Sequence, residues 1–355
     1  MTAEALLLLA LKGVLVAAVP LAYVRYSRDP HKFRKLAWVT AFLTLDLIMF
    51  GSFTRLTDSG LGCPDWPGCY GHSNPLAAGE SIRAAETALP SGPVTMTKAW
   101  IEMAHRYFAM GVGLLIIILA VQSWTRWRRE GGRSPWLATA ALAWVIAQGA
   151  FGALTVTMKL QPVIVTIHLL GGVGLLSLLV WLALREGEVV HVRASGSAAR
   201  LAVLALAVVL LQVALGGWVS TNYAVMACPD FPLCQGQLVP TMDFAHAFTL
   251  WRPLGMTGDG EAIPFQSLVA IHWVHRLFAI AVILVLGALL WQIWSAPGLK
   301  GPARAILVLL LLQFATGMSN VVLQWPLALA VAHSGGAALL VALLVVVTYR
   351  LRSGR

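Results

Sequence analysis

The chain has 355 residues, of which 59% are hydrophobic and only 11% are charged, and its mean hydropathy is +0.78. This composition excludes an ordinary water-soluble domain, in which about 25% of residues are charged. The formal net charge of +10 is compatible with a nucleic-acid partner, but its placement in alternate loops argues against one and indicates a membrane protein instead.

Nine apolar segments approach or exceed the length of about 20 residues that crosses a bilayer as a helix. In chain order they are 4–24, 36–54, 99–122, 136–157, 162–184, 199–219, 266–294, 303–323 and 326–349. Backbone groups in lipid must be satisfied within the protein, so a helical bundle is expected, and the alternating pattern of a membrane barrel is absent. The predicted fold class is an all-α polytopic membrane protein.

The basic residues predict the orientation of these helices. Of the Lys and Arg residues, 17 lie in loops 25–36, 123–135, 185–200 and 295–304 and in the C-terminal tail, whereas the intervening loops hold five. Because cytoplasmic loops carry the excess of positive charge, the N-terminus is predicted outside and the C-terminus in the cytoplasm. The first segment lacks a basic region before it, so we interpret it as a retained helix and not as a signal peptide.

An internal repeat organises most of the chain. The heptapeptide CPDWPGC at 63–69 returns as CPDFPLC at 228–234, and EMAHRYFA at 102–109 corresponds to HWVHRLFA at 272–279. The pairs separated by 165 positions also include His168 with His333, Gln148 with Gln313, and Gly152 with Gly317. We therefore predict two pseudo-symmetric four-helix copies, 36–185 and 186–355, preceded by an extra helix and basic linker at 1–35.

Each predicted copy contains two histidines near the outer ends of its helices, His105 with His168 and His275 with His333. A single membrane histidine is usually a packed, hydrogen-bonded residue, but four at matched depth indicate a function. Two imidazoles that face each other inside a helical bundle suit a heme iron, whereas zinc would need four ligands close together. We expect one heme site in each copy.

Charged residues next to these histidines have two interpretations each. Arg106 and Arg276 directly follow the first histidine of each copy, where they can bind heme propionates or extend to lipid headgroups. Glu102 lies one turn before His105, and His272 takes its place in the second copy. This difference suggests two hemes with different tasks.

The four cysteines form two close pairs, Cys63 with Cys69 and Cys228 with Cys234. In an oxidising outer compartment such pairs predict two small disulfide loops that brace a lid. Redox-active thiols are the alternative. We favour the structural role, because proximity alone does not make a cysteine reactive.

The motif set GSFTRLTDSGLGCPDWPGCYG, EMAHRYFA, CPDFPLC and HWVHRLFA, with two later helix histidines, resembles the heme A synthase family of cytochrome oxidase assembly. The resemblance covers about residues 36–350 and points to the bacterial subgroup with cysteine-bearing loops. It implies an enzyme that oxidises the C8 methyl group of heme O to the formyl group of heme A. The family has eight core helices, so the helix at 4–24 is an addition.

The resemblance also implies roles for particular residues. His275 and His333 would bind a resident heme b, and His105 and His168 would hold heme O or heme A. Glu102 would serve the chemistry, although a polar anchor near a helix start is the alternative interpretation.

The implied partners are heme O, a heme O synthase, oxidase assembly factors, an unidentified electron donor or acceptor, and the lipid of a bacterial cytoplasmic membrane. Two other functions compete with this one. A di-heme b electron-transfer protein, such as a quinol oxidoreductase, would explain the histidines. A membrane thiol–disulfide oxidoreductase would explain the cysteines.

Overall fold

The structure, a computed structural model, describes residues 2–188, 192 and 196–353. Within these residues it contains helices and isolated bridges but no β-strand, and nine helices are long and apolar enough to cross a membrane. These nine are α1 (Ala3–Tyr26), α2 (Lys32–Leu56), α4 (Met96–Glu130), α5 (Trp136–Thr157), α6 (Pro162–Arg185), α7 (Gly196–Thr221), α9 (Phe265–Ile293), α10 (Lys300–Val322) and α11 (Leu327–Ser353). The predicted all-α class and the nine spans are confirmed.

Shorter helices interrupt the two long loops. Helix α3 (Gly79–Ala88) lies between α2 and α4, and α8 (Phe244–Ala247) lies between α7 and α9, after a 3₁₀ turn at Val225–Ala227. The hydropathy pattern does not predict them, because they are too short and too polar to cross a bilayer.

Helix α4 is longer than the apolar segment 99–122 that predicted it. It begins after Thr95, whose side chain accepts a hydrogen bond from the backbone N–H of Lys98 at 3.2 Å. It ends at Gly131, which has the left-handed conformation, with φ of 62°, that favours glycine at a helix end. Both caps lie outside the apolar segment, so hydropathy alone could not locate them.

Backbone contacts divide the chain into two compact units, one of 1–160 with 174–187 and one of 161–173 with 188–355. Helix α6 contributes to both units, whereas the predicted boundary at 185 assigned all of it to the first copy. A close approach to α7 explains the difference. A Cβ atom on Gly217 would lie 3.0 Å from Leu169, so the missing side chain lets the first part of α6 pack on α7.

In the first unit, α4 packs against α1, α2, α3 and α5. The additional helix α1 approaches α4 closely, since a Cβ atom on Gly111 would lie 2.5 Å from the Val16 side chain. Lys12 of α1 also donates a hydrogen bond to the backbone carbonyl of Ser73 at 2.7 Å. Helix α1 therefore holds both α4 and the loop that follows the first cysteine pair.

In the second unit, α7 and α10 each pack against both α9 and α11. The four helices therefore form a ring in which α9 and α11 lie on opposite sides. Helix α9 carries His275 and α11 carries His333. The packing places the two histidine-bearing helices across the interior of one bundle.

Candidate functional site

The two histidines of the second unit each lie against a glycine of a neighbouring helix. A Cβ atom on Gly216 of α7 would lie 3.0 Å from Cε1 of His275, and one on Gly317 of α10 would lie 3.2 Å from Cε1 of His333. Helices α9 and α11, which carry the two rings, lie on opposite sides of the same ring of four helices. The glycines thus provide space for the rings, and the bundle brings the rings together.

Polar side chains hold the same two histidines in place. Gln212 Nε2 donates to the backbone carbonyl of His275 at 3.1 Å and lies 3.2 Å from its ring atom Nδ1. Gln313 Nε2 donates to the carbonyl of His333 at 3.0 Å, and the hydroxyl of Thr316 lies 2.9 Å from its Nδ1. Both the backbone and the ring of each histidine therefore have a partner on the adjacent helix.

These residues fit a heme iron with two axial imidazoles. Such a site needs two rings on facing helices and room beside them for the flat macrocycle. Helices α9 and α11 supply the rings, and Gly216 and Gly317 keep their edges clear of side chains. A partner that accepts from the second ring nitrogen is typical of metal-binding histidines, and the hydroxyl of Thr316 can take that role at His333.

The first histidine of the first unit has a related environment. A Cβ atom on Gly51 would lie 3.1 Å from Nε2 of His105, and Gly216, 165 positions after Gly51, lies in the same way beside the ring of His275. The ring of Phe50 packs edge-on against His105, with 5.7 Å between the centroids. His168 lies on the part of α6 that belongs to the second unit, so its pairing with His105 stays a prediction.

The carboxylate of Glu102 is buried, with 4% of the residue exposed. One oxygen forms an ion pair with Arg106, one turn later on α4, and the other accepts a hydrogen bond from the backbone N–H of Cys63 at 2.8 Å. Glu102 lies in the second turn of α4 and not at its first residues. The carboxylate therefore connects the helix to the first cysteine loop.

The two arginines bind the cysteine loops. Their guanidinium groups donate to backbone carbonyls, Arg106 to those of Asp65, Pro67 and Gly68, and Arg276 to those of Cys228, Asp230 and Leu233. Arg106 is only 9% exposed, which differs from the interpretation that it extends to lipid headgroups. The contact of either arginine with heme propionates stays a prediction.

Glu102 and His272 occupy equivalent positions in the two copies, and each contacts the arginine one turn later on its helix. Arg276 Nε donates to Nε2 of His272 at 3.1 Å, just as Arg106 pairs with Glu102. Each side chain thus orients the arginine one turn later, which in turn holds a loop. The carboxylate adds a negative charge to this arrangement in the first unit alone.

Both cysteine pairs are disulfides, Cys63 with Cys69 and Cys228 with Cys234, which confirms the predicted pairing. All four cysteines are at most 1% exposed. A thiol that exchanges disulfides must be reached by its partner. The burial of these sulfurs is therefore typical of structural bridges.

The aspartate of each heptapeptide closes its loop. The carboxylates accept hydrogen bonds from backbone N–H groups five and six positions later, at 2.6 and 2.7 Å for Asp65 and at 2.8 Å for Asp230. These bonds, first of all the one from Gly236, hold the pKa of Asp230 below its usual value. The repeated Cys-Pro-Asp sequence is therefore explained by a turn that needs an acceptor and two sulfurs.

Sequence reasoning missed two residues that contact the histidine rings. Gln212 and Thr316 align, at a separation of 165, with Leu47 and Phe151 of the first copy. The repeat therefore did not indicate a function for either residue, because it identifies only residues that the two copies share. Comparison of where the copies differ could have found them.

The helices, the facing histidines and the disulfide loops define a multi-pass membrane protein with a candidate heme site. Residues 34–345 match the cytochrome oxidase assembly protein family, COX15-CtaA. The chain belongs to this family, which confirms the resemblance found in the motifs.

Several curated relatives carry the name heme A synthase. The protein of Shewanella oneidensis is 38% identical over 321 residues, which cover 89% of this chain and 96% of the relative. The protein of Methylobacterium radiotolerans is 28% identical over 346 residues, covering 91% and 90%. That of Brucella ovis is 28% identical over 332 residues, covering 87% and 88%. The similarity extends over nearly the whole chain in each case.

Proposed function

We propose that this chain is a heme A synthase, a membrane oxidoreductase that converts the C8 methyl group of heme O into the formyl group of heme A. The observation that carries the proposal is the 38% identity to a relative of that name over 89% of the chain. The facing histidines of the second unit support it, because they fit the binding of a heme.

A resident heme b in the second unit, bound by His275 and His333, is part of this proposal. When bound, heme b would supply electron transfer, and the imidazoles of His275 and His333 would hold its iron. The chain holds the two imidazoles on opposite sides of one bundle, and Gly216 and Gly317 leave their edges free. Gln212 and Gln313 fix the backbone of the ligands.

Heme O is assigned to the first copy, with His105 and His168 as its ligands. The sequence repeat supports this assignment, because these histidines correspond to His275 and His333. The contact of Gly51 with His105 supports the assignment further, because Gly216 makes the corresponding contact with His275.

Glu102 is proposed as the group that handles protons or positive charge when the methyl group is oxidised. A methyl group becomes a formyl group by losing electrons and protons and gaining an oxygen atom, so a nearby carboxylate is useful. Glu102 lies one turn from His105 on α4, and its bonds with Arg106 and Cys63 fix its position. A mobile side chain could not keep one orientation toward a bound substrate.

The proposed location is a bacterial cytoplasmic membrane, with the N-terminus outside and the C-terminus in the cytoplasm. The distribution of basic residues supports this orientation. The two disulfides agree with it, because they would then lie in an oxidising compartment. The proposed partners are a heme O synthase, oxidase assembly factors and a membrane electron donor or acceptor.

A di-heme electron carrier is the second candidate, because two facing imidazoles alone suit electron transfer. The test is expression in a host that makes heme O but no heme A, followed by chromatography of the extracted hemes. We expect heme A in cells with the chain and none in cells with an empty vector. Heme O alone, beside abundant protein loaded with heme b, would favour the electron carrier.

A further inference from the structure

The hydroxyl group of Thr316 on α10 contacts a ring nitrogen of His333. This hydroxyl has a single hydrogen, and its shortest bond donates that hydrogen to the backbone carbonyl of Leu312 at 2.7 Å. Its oxygen lies 2.9 Å from Nδ1 of His333 and has only lone pairs left to offer there. With the hydroxyl hydrogen on the carbonyl of Leu312, the ring nitrogen is the donor, and in that arrangement Nδ1 of His333 carries the hydrogen.

The other ring nitrogen is thereby free to bind a metal. A neutral imidazole has one N–H group, and a proton on Nδ1 leaves the lone pair on Nε2. The ring is also held by Gly317, whose missing side chain leaves room for Cε1. Helix α10 thus contacts the ring of His333 at two places, at Nδ1 through Thr316 and at Cε1 through Gly317.

We propose that Thr316 is a positioning residue for heme b, which keeps His333 in the tautomer that binds iron through Nε2. The inference rests on the proposed heme b site of the second unit and adds a residue to it. Thr316 does not bind the iron itself. It acts through the imidazole of His333, which is the proposed ligand of the iron.

The two copies differ at this position in a way that suits their proposed tasks. Gln148 and Gly152 correspond at a separation of 165 positions to Gln313 and Gly317 of α10, which supports this register around Thr316. In that register Phe151 stands where Thr316 stands, and a phenyl ring has no oxygen to accept an imidazole N–H group. The tautomer-setting hydroxyl belongs to the copy that must retain its heme, whereas the substrate copy must release its product.

Loss of the hydroxyl should have two measurable effects. Removal of a partner behind a metal-binding histidine typically weakens metal affinity by about 10–100-fold. The hydrogen bond from Nδ1 of His333 to the hydroxyl oxygen of Thr316 also makes the imidazole a stronger electron donor, which stabilises ferric iron. Thr316→Val should therefore lose heme b faster and should raise the midpoint potential of the heme b that remains.

The experiment compares three variants of the full chain, each purified with its heme. Thr316→Val keeps the shape but removes the oxygen, and Thr316→Ser keeps the oxygen. Ser319→Ala is the matched control on α10, because this hydroxyl makes the same kind of bond, to the carbonyl of Ala315 at 2.7 Å, and this bond is exposed. Heme b transfer to excess apo-globin gives the rate of loss, and a redox titration gives the potential.

We expect heme b loss to be about 10–100-fold faster in Thr316→Val and close to wild type in Thr316→Ser and Ser319→Ala. Equal retention by the valine and serine variants, or equal loss from both, would overturn the role of the hydroxyl. Wild-type protein that lacks heme b would instead refute the proposed resident heme, and this inference with it.

Discussion

At the scale of single residues, glycines make the histidine environments possible. Gly216 and Gly317 lie where any side chain would collide with the ring of His275 or His333. Glycine is needed at both positions for the space that the missing side chain leaves. It is not needed for the backbone, because both residues have ordinary helical conformations. A contact of 3.0–3.2 Å forces the ring to move unless the backbone gives way.

The first prediction concerns Gly317→Ala. The added methyl group should displace the imidazole of His333 and lower the heme b content, with an overpacking cost of about 1–3 kcal/mol. Gly287→Ala on α9 is the matched control, because a Cβ atom there has no neighbour within 4 Å. Heme b per protein is measured in both after detergent purification. The same heme b content in both variants would contradict the role of the glycine.

The second prediction separates catalysis by Glu102 from its contact with the loop. Glu102→Gln can still accept the hydrogen bond from Cys63, but it has no charge for chemistry or for Arg106. Loss of an acid–base group slows a reaction by about 10²–10⁴-fold, so heme O or a partly oxidised alcohol should accumulate. The extracted hemes are quantified against total protein, with heme b content as the check of folding.

Arg106→Gln is the companion variant, because it breaks the same ion pair while keeping the carboxylate. Breaking a buried pair typically costs about 3–5 kcal/mol of stability, and both variants share this loss. If Glu102→Gln makes normal amounts of heme A, the catalytic role is wrong. If the two variants lose conversion equally, Glu102 acts through the loop.

At the scale of elements, each cysteine loop is a separate closed unit held to a helix by one arginine. The disulfide joins the loop ends, the aspartate accepts two backbone N–H groups, and the arginine of α4 or α9 binds three carbonyls. The sequence could predict the disulfides from the spacing of the cysteines. It could not assign the arginines to the loops, because these contacts join positions about 40 residues apart.

The third prediction concerns the pH dependence of the second loop. The folded loop depresses the pKa of Asp230, so this carboxylate stabilises the loop above its unfolded pKa of about 3.9. The contribution is lost as the pH falls through the lower, folded pKa. Hydrogen exchange at Gly236 should therefore accelerate in that acid range, after correction for intrinsic rates. Asp230→Asn should remove this pH dependence, and its persistence in that variant would assign the effect to another group.

The presence of the nine membrane-spanning helices could be predicted from the sequence, but the residues at which these helices begin and end could be predicted less well. Apolar segments of nearly bilayer length have few alternatives to a helix in lipid, which is why all nine spans were found from hydropathy. The extension of α4 to Glu130 depends on polar residues and on the cap at Gly131, which hydropathy does not describe. Thr316 was not predictable either, because its partner is a ring on another helix.

At the scale of the whole molecule, duplication followed by divergence would explain the two related sites and the different tasks proposed for them. The copies share histidines, glycines, disulfides and loop-binding arginines. They differ at Glu102 and His272, and at Phe151 and Thr316. The first difference places a carboxylate in the copy proposed to bind heme O, and the second places a hydroxyl group beside His333 in the copy proposed to bind heme b.

The heme content of histidine variants tests this division of labour most directly. We expect His275→Ala and His333→Ala to lose heme b, because each removes one of its two proposed axial ligands. His105→Ala and His168→Ala should keep heme b while heme O accumulates in place of heme A. The measurement is chromatography of hemes extracted from equal amounts of each purified, well-expressed variant. If all four variants lose the same heme to the same extent, the assignment of one heme to each copy is contradicted.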